Sequence, residues 1–167
     1  NAAQTAWAAL QKQKRYSTLP GGQIHIGAMN DEIVPELAHQ MGRPVRYGGE
    51  FGGFNERASY MAEIAQDALA DIMIEDSDAF RRVIKRVPHG VVLVVAPWNY
   101  PYMTAINTVA PVLIAGNAVK LKHASQTPLV GERLAQAFHA AGVSEDVFHR
   151  RFAYRGTACD IEPCILV

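Results

Sequence analysis

The 167-residue chain balances sixteen basic side chains against sixteen acidic ones, and 49% of its residues are apolar. That length suits one domain with a core large enough to fold around, and a net charge of zero gives no support for a nucleic-acid or membrane-surface partner. The longest apolar runs, near Val91 to Ala96 and Val109 to Ala115, are too short to span a bilayer; no signal-peptide pattern opens the chain, and two cysteines, Cys159 and Cys164, make a reducing cytoplasm the default rather than a disulfide scaffold.

In chain order, the first predicted element is an Ala- and Gln-rich helix from Asn1 to about Gln13, with Trp7 and Leu10 on one face. From Lys14 to Met29 the period dissolves, and Leu19-Pro20-Gly21-Gly22 reads as a breaker cluster. Asn30 or Asp31 caps a helix that runs to Met41, with Pro35 in its first turn and Gly42 as its stop. Arg43 to Gly53, with four glycines and one proline, reads as a loop. A long helix follows, whose buried stripe is Phe54, Ala58, Met61, Ala65, Leu69 and Ile72. Phe80 to Val87 alternates in part and is predicted as a half-exposed strand ended by Pro88.

Val91 to Val95 is a continuous β-branched and Leu run, the pattern of a central strand covered on both faces. Pro101 suits the first turn of the next helix, and Pro111 within it implies a kink or an early end. Gly116-Asn117 closes that helix, and Ala118 to Lys122 forms a second strand. Thr127 caps a helix with Pro128 at its first position, in which Val130, Leu134, Ala137, Phe138 and Ala141 recur as far as Gly142. Strand–helix–strand–helix order implies a right-handed crossover and a parallel sheet, hence an α/β fold. His149 to Val167 holds both cysteines, three arginines and no readable period, so the domain is expected to cover residues 1–148, with 149–167 as an anomalous tail.

Pro97-Trp98-Asn99-Tyr100-Pro101 lies where a buried strand empties into a loop, the place where open parallel sheets bind ligands. The Asn99 carboxamide there suits donation to an oxyanion on a carbonyl carbon under attack; it equally suits bonding its own backbone in the turn. Trp98 either walls a cofactor ring or serves as a core aromatic. Lys122 at the end of the next strand can bond ribose hydroxyls or approach a dinucleotide phosphate, or it is a solvated strand-end lysine. Lys120 shares its face, which gives an anion site or a charge-protected edge. Ser125 can bond a ribose or a 2′-phosphate, or form a turn with Gln126 and Thr127. The six histidines do not pair at metal-ligand spacing and Cys159 with Cys164 is a half-site at most, so no metal site is expected. Glu50, Glu56 and Glu63 read as loop and helix-surface charges, and no G-x-G-x-x-G occurs.

The Pro97 to Pro101 segment resembles the P-W-N-[FY]-P motif of the aldehyde dehydrogenase superfamily. Ala115-Gly116-Asn117-Ala118 through Lys122, then Gln126-Thr127-Pro128-Leu129, is similar to the A-G-N-x-x-x-x-K-x-x-x-x-T-P-L that follows it in that family. A looser likeness extends back through Glu36-Leu37-Ala38 and Gln40-Met41-Gly42 to the helix of Phe54, Glu56, Arg57 and Tyr60. The resemblance implies the first part of a cofactor-binding domain, with a parallel Rossmann-like sheet, flanking helices, and one strand, Phe80 to Val87, reaching toward the oligomerisation sheet of a homo-oligomer. It implies NAD or NADP as cofactor and an aldehyde as substrate. In that reaction a cysteine attacks the carbonyl, hydride leaves to the nicotinamide and water hydrolyses the thioester.

By the same resemblance Asn99 matches the oxyanion-stabilising asparagine, Ala96, Pro97 and Trp98 match the segment beside the nicotinamide, and Lys122 matches the lysine on the adenosine ribose. Ser125 stands where NAD-preferring members often carry Glu, which removes a charge that would repel a 2′-phosphate. Neither cysteine sits in the family's Gly-Gln-x-Cys setting, so neither is assigned as the nucleophile, and the family's catalytic glutamate and second glycine-rich segment are not found. The chain is therefore expected to be a fragment, inactive alone. The alternatives are a non-catalytic dinucleotide-binding or oligomerising module, or a truncated product without function. Lys14 to Met29 and His149 to Val167 depart from the family pattern, as reading-frame or assembly errors would.

Overall fold

A computed structural model describes residues 2–10, 12–151 and 165–166. Helices α1 (Ala2–Ala9), α2 (Lys12–Tyr16), α3 (Thr18–Ala28) and α4 (Asn30–Met41) lead through a 3₁₀ turn at Val45–Tyr47 to the long helix α5 (Phe51–Ala68). A hairpin of β1 (Ile72–Asp76) and β2 (Arg81–Ile84) comes next. The α/β unit follows as β3 (Val91–Val95), α6 (Pro101–Ile114), β4 (Ala118–Lys122), α7 (Pro128–Ala140) and β5 (Phe148–Arg151), with β6 at Ile165–Leu166. The strand order is β5-β4-β3-β6 and every pair is parallel. This is the Rossmann-like arrangement expected of strand–helix repeats, because each crossover helix returns the chain to start the next strand in the same direction. No helix among the described residues is long and apolar enough to cross a membrane.

The core forms where alternate strand residues meet the crossover helices. Val92, Val94, Val119 and Leu121 are buried in one cluster with Val109 and Leu113 of α6 and Leu134 and Phe138 of α7. Each such side chain stabilises the fold by about 1.5–3 kcal/mol relative to exposure. The opposite face, with Val91, Leu93, Lys120 and Lys122, is only half-buried and Val95 is exposed. The expectation of cover on both faces of β3 therefore holds for one face among the described residues.

The segment from Lys14 to Met29 is the main correction. Thr18–Ala28 is a helix, and its glycines are contacts rather than breakers. A Cβ on Gly21 would lie 2.8 Å from Ala141 Cβ, and one on Gly22 would lie 2.9 Å from the Phe138 ring. Glycine here lets two helices approach closely, at the cost of propensity. Pro20 falls in the first turn, where its missing N–H has no intrahelical partner to lose. The segment was illegible because its constraint lies in α7, more than a hundred residues away.

Smaller departures have local causes. The residue preceding α4 is Met29, which makes no side-chain cap bond and joins α3 directly to α4; Pro35 then lies inside the helix rather than in its first turn. Gly42 does end α4, with φ 70°. Gly52 and Gly53 belong to α5, so the expected loop from Arg43 to Gly53 is shorter. In the α5 stripe Phe54, Ala58 and Ala65 are buried and Met61 and Leu69 pack against the core, but Ile72 is in β1. The Ile72-Met73-Ile74 strand signal was hidden by its phase with that stripe. β2 is shorter than Phe80 to Val87 and pairs antiparallel with β1, with Met73 opposite Val83. Pro111 does not end α6, which continues to Ile114. The boundary expected after residue 148 falls within β5, where His149 pairs with Lys120. Cys159 and Cys164 lie outside the described residues.

Candidate functional site

The Ala96 amide donates to the Lys122 carbonyl at 3.0 Å, extending the β3–β4 ladder one step beyond Val95. That bond draws the ends of both strands together. The turn Pro97-Trp98-Asn99-Tyr100 and the segment His123 to Gln126 thus leave the sheet side by side, at its carboxyl edge. Ala96 is buried, Pro97, Asn99 and Ser125 are exposed, Trp98 is 46% exposed and Lys122 is half-buried. Trp98 is therefore no core aromatic. No hydrogen bond among the described residues engages the Asn99 carboxamide, the Lys122 ammonium or the Ser125 hydroxyl, so the backbone-bonded reading of Asn99 finds no support there.

The turn is fixed from behind by Arg43 and Glu50, neither of which the sequence pattern assigns to the site. The Glu50 carboxylate accepts from the Tyr102 and Met103 amides at 3.0 and 3.2 Å, at the first turn of α6. Arg43 donates to the other Glu50 oxygen at 3.0 Å and, through its second terminal nitrogen, to the Asn99 carbonyl. Its guanidinium also lies 4.6 Å from the centre of the Tyr100 ring. Glu50 is 2% exposed, so it is not the loop-surface charge expected of it, whereas Glu56 and Glu63 are exposed. Burial pushes the Glu50 carboxyl up, and the Met103 amide and the Arg43 guanidinium pull it back. One sequence signal was available: Glu50 stands four residues before Phe54, in phase with the buried stripe of α5.

This carboxylate decides what the first crossover helix can bind. A helix N-terminus is an anion site when its amides are free, but at α6 Glu50 already occupies them. The N-terminus of α7 is partly used too, since the Leu129 amide donates to Gln40 Oε1 at 3.1 Å. Thr127 precedes α7 as expected, yet its hydroxyl makes no cap bond. The first turn of α6 therefore offers no free amides at Tyr102 and Met103 for a pyrophosphate.

Nearby contacts hold the frame. Asn117 accepts from the Gly90 amide at 2.9 Å and donates to the Val112 carbonyl at 3.2 Å, tying the end of α6 to the start of β3. Gly116 before it has φ 90°, and a Cβ there would press on Pro88 and on the α1 backbone at Ala8. Arg133 of α7 bonds Glu32 at 2.6 Å and also pairs with Glu36, clamping α7 to α4. His123 is buried beside Lys122; burial first, then the Lys122 and Arg150 charges, lower its pKa. A cavity of about 570 Å³ lies elsewhere, between α7 and β5, and contains none of the expected site residues. Among the described residues no cluster of His, Cys, Asp or Glu could hold a metal ion.

Residues 1–152 match the model of the "Aldehyde dehydrogenase family". The chain is 30% identical over 145 residues to a D-glyceraldehyde dehydrogenase (NADP(+)) from Picrophilus torridus, covering 86% of this chain and 29% of that protein. Among solved structures it is similar to an NADP dependent enzyme from E. coli, with a TM-score of 0.84 and 28% identity over 93% of this chain and 33% of that one. It is also similar to an NAD-dependent benzaldehyde dehydrogenase from Corynebacterium glutamicum, with a TM-score of 0.80 and 29% identity over 89% of this chain and 33% of that one. The chain thus spans about a third of the length of the relatives it matches.

Proposed function

The chain belongs to the aldehyde dehydrogenase family, and from that premise we propose that it forms the first part of the cofactor-binding domain of an NAD(P)-dependent enzyme that oxidises an aldehyde to a carboxylic acid. The observation that carries this reading is the Ala96–Lys122 backbone bond, which sets the Trp98-Asn99 turn against Lys122 and Ser125 at the sheet's carboxyl edge. A bound nicotinamide supplies hydride acceptance; the rest falls to the chain's own groups. Trp98 and the Ala96-Pro97 backbone wall the ring. Asn99 donates its NH₂ to the oxygen of the aldehyde as negative charge gathers there. Lys122 bonds the adenosine ribose hydroxyls. Ser125 leaves room for a 2′-phosphate that a carboxylate would repel, so NADP is accepted. A cytoplasmic location fits the sparse cysteine usage.

The 167-residue chain alone does not turn over aldehyde on this reading, because neither of its cysteines stands in the family's Gly-Gln-x-Cys setting. The test is an NADPH-formation assay on the pure chain. Oxidation that disappears in Asn99→Ala would overturn the claim of inactivity. For the cofactor, Ser125→Glu should weaken NADP⁺ binding while sparing NAD⁺; an unchanged preference would refute the role of Ser125.

A second reading has its own support. The hairpin leaves Ile74, Phe80 and Ile84 more than half exposed, a surface that suits pairing with another copy through the β2 edge.

A further inference from the structure

We propose that Arg43 and Glu50 are positioning residues for Asn99, an ion pair between a half-buried guanidinium and a buried carboxylate that ties the turn carrying the carboxamide to the first turn of α6. The proposal deepens the reading of Asn99 as an oxyanion donor and rests on it.

The need for such a device is visible locally. The residue preceding α6 is Tyr100, whose side chain cannot accept the free amides of the helix as Ser, Thr, Asp or Asn would. The cap comes instead from Glu50, far back in the chain and essentially inaccessible to water. A carboxylate is favoured at a helix N-terminus by the helix dipole, but a buried one is tolerable only when paired and fully bonded. Arg43 supplies the pairing. Its planar guanidinium spends one terminal nitrogen on Glu50 and the other on the Asn99 carbonyl, so a rigid fork sets the distance between them. A cation–π contact with the Tyr100 ring holds the guanidinium over the same turn. The Asn99 side chain has no partner of its own among the described residues, so its direction is inherited from this backbone anchor. Among the described residues neither Arg43 nor Glu50 bonds Trp98 or Lys122, so both act through Asn99.

The test uses the ¹⁵N-labelled 167-residue chain and two variants, Arg43→Met and Glu50→Gln. Two signals are read: the separate side-chain NH₂ resonances of Asn99, and amide exchange at Tyr102 and Met103, with Leu134 and Phe138 in α7 as internal controls. In Arg43→Met the Asn99 NH₂ shifts should move away from their wild-type positions as the backbone anchor is lost, while Tyr102 and Met103 keep most of their protection. In Glu50→Gln the same shifts move, and exchange at Tyr102 and Met103 accelerates by roughly tenfold or more. The α7 controls stay put in both. Exchange that rises equally in α7 would reduce the pair to a general stabiliser, and unmoved Asn99 signals in Arg43→Met would overturn the proposal. Should Glu50→Gln not fold, Arg43→Met decides alone. If NADP⁺ fails to bind the wild-type chain while these local effects occur, the functional reading falls and the positioning stands. Cofactor binding with unmoved Asn99 signals would remove only the positioning.

Discussion

Replacing Gly22 with alanine should separate the two meanings of a glycine in a helix. Alanine gains up to about 1 kcal/mol of helix propensity over glycine wherever it meets no obstacle. At Gly22 the added Cβ lies 2.9 Å from Phe138 Cε1 and 3.1 Å from Cδ1. That ring cannot retreat, because it is 1% exposed and stacks on Phe148 with centroids 5.1 Å apart. Overpacking of this kind costs about 1–3 kcal/mol, which offsets or exceeds the propensity gain. Gly52 in the first turn of α5 is the matched control, since a Cβ there meets nothing within 4 Å. Urea denaturation of both variants checks the difference. With an m-value of about 1–3 kcal/mol/M, Gly22→Ala should fall below Gly52→Ala by roughly 0.5–2 M in midpoint. Equal midpoints, or a Gly22 variant more stable than the control, would refute the claim that α3 is held by glycine contacts.

Three further outcomes follow from the contacts. Asn117→Ala removes the side-chain bonds to the Gly90 amide and to the Val112 carbonyl and should cost about 1–3 kcal/mol, read in the same denaturation assay. His123 has a lowered pKa in the folded chain, so below the ordinary value of 6.5 the unfolded state takes up the proton first and stability falls with pH; the advantage of wild type over His123→Gln should shrink from pH 7.5 to pH 5.5, and a constant gap would contradict the burial argument. Ile74→Lys with Ile84→Lys should abolish any concentration-dependent mass in sedimentation velocity, with little loss of stability, because both side chains are more than half exposed.

The α/β unit was legible because its signals are local. The β-branched run of β3, the Pro101 and Pro128 helix starts and the Gly116-Asn117 stop each depend on residues within a few positions. The place of residues 96–99 and Lys122 at the carboxyl edge of the sheet was legible for the same reason, since the carboxyl end of a buried strand can be read from the run itself. What failed depended on distant partners. Gly21 and Gly22 look like a break until Ala141 and Phe138 are placed beside them. Glu50 looks solvated until the Tyr102 and Met103 amides reach it. Ile72 followed the helical phase of α5 so closely that only pairing with Ile84 reveals a strand.

The most direct test of the account is a ¹H–¹⁵N NMR titration of the 167-residue chain with NADP⁺. Saturable shifts confined to residues 96–100 and 121–126, weakened in Lys122→Met, are the expected result. Shifts confined instead to Gln136, His139 and His149 around the α7–β5 cavity, or no saturable shift at all, would contradict it.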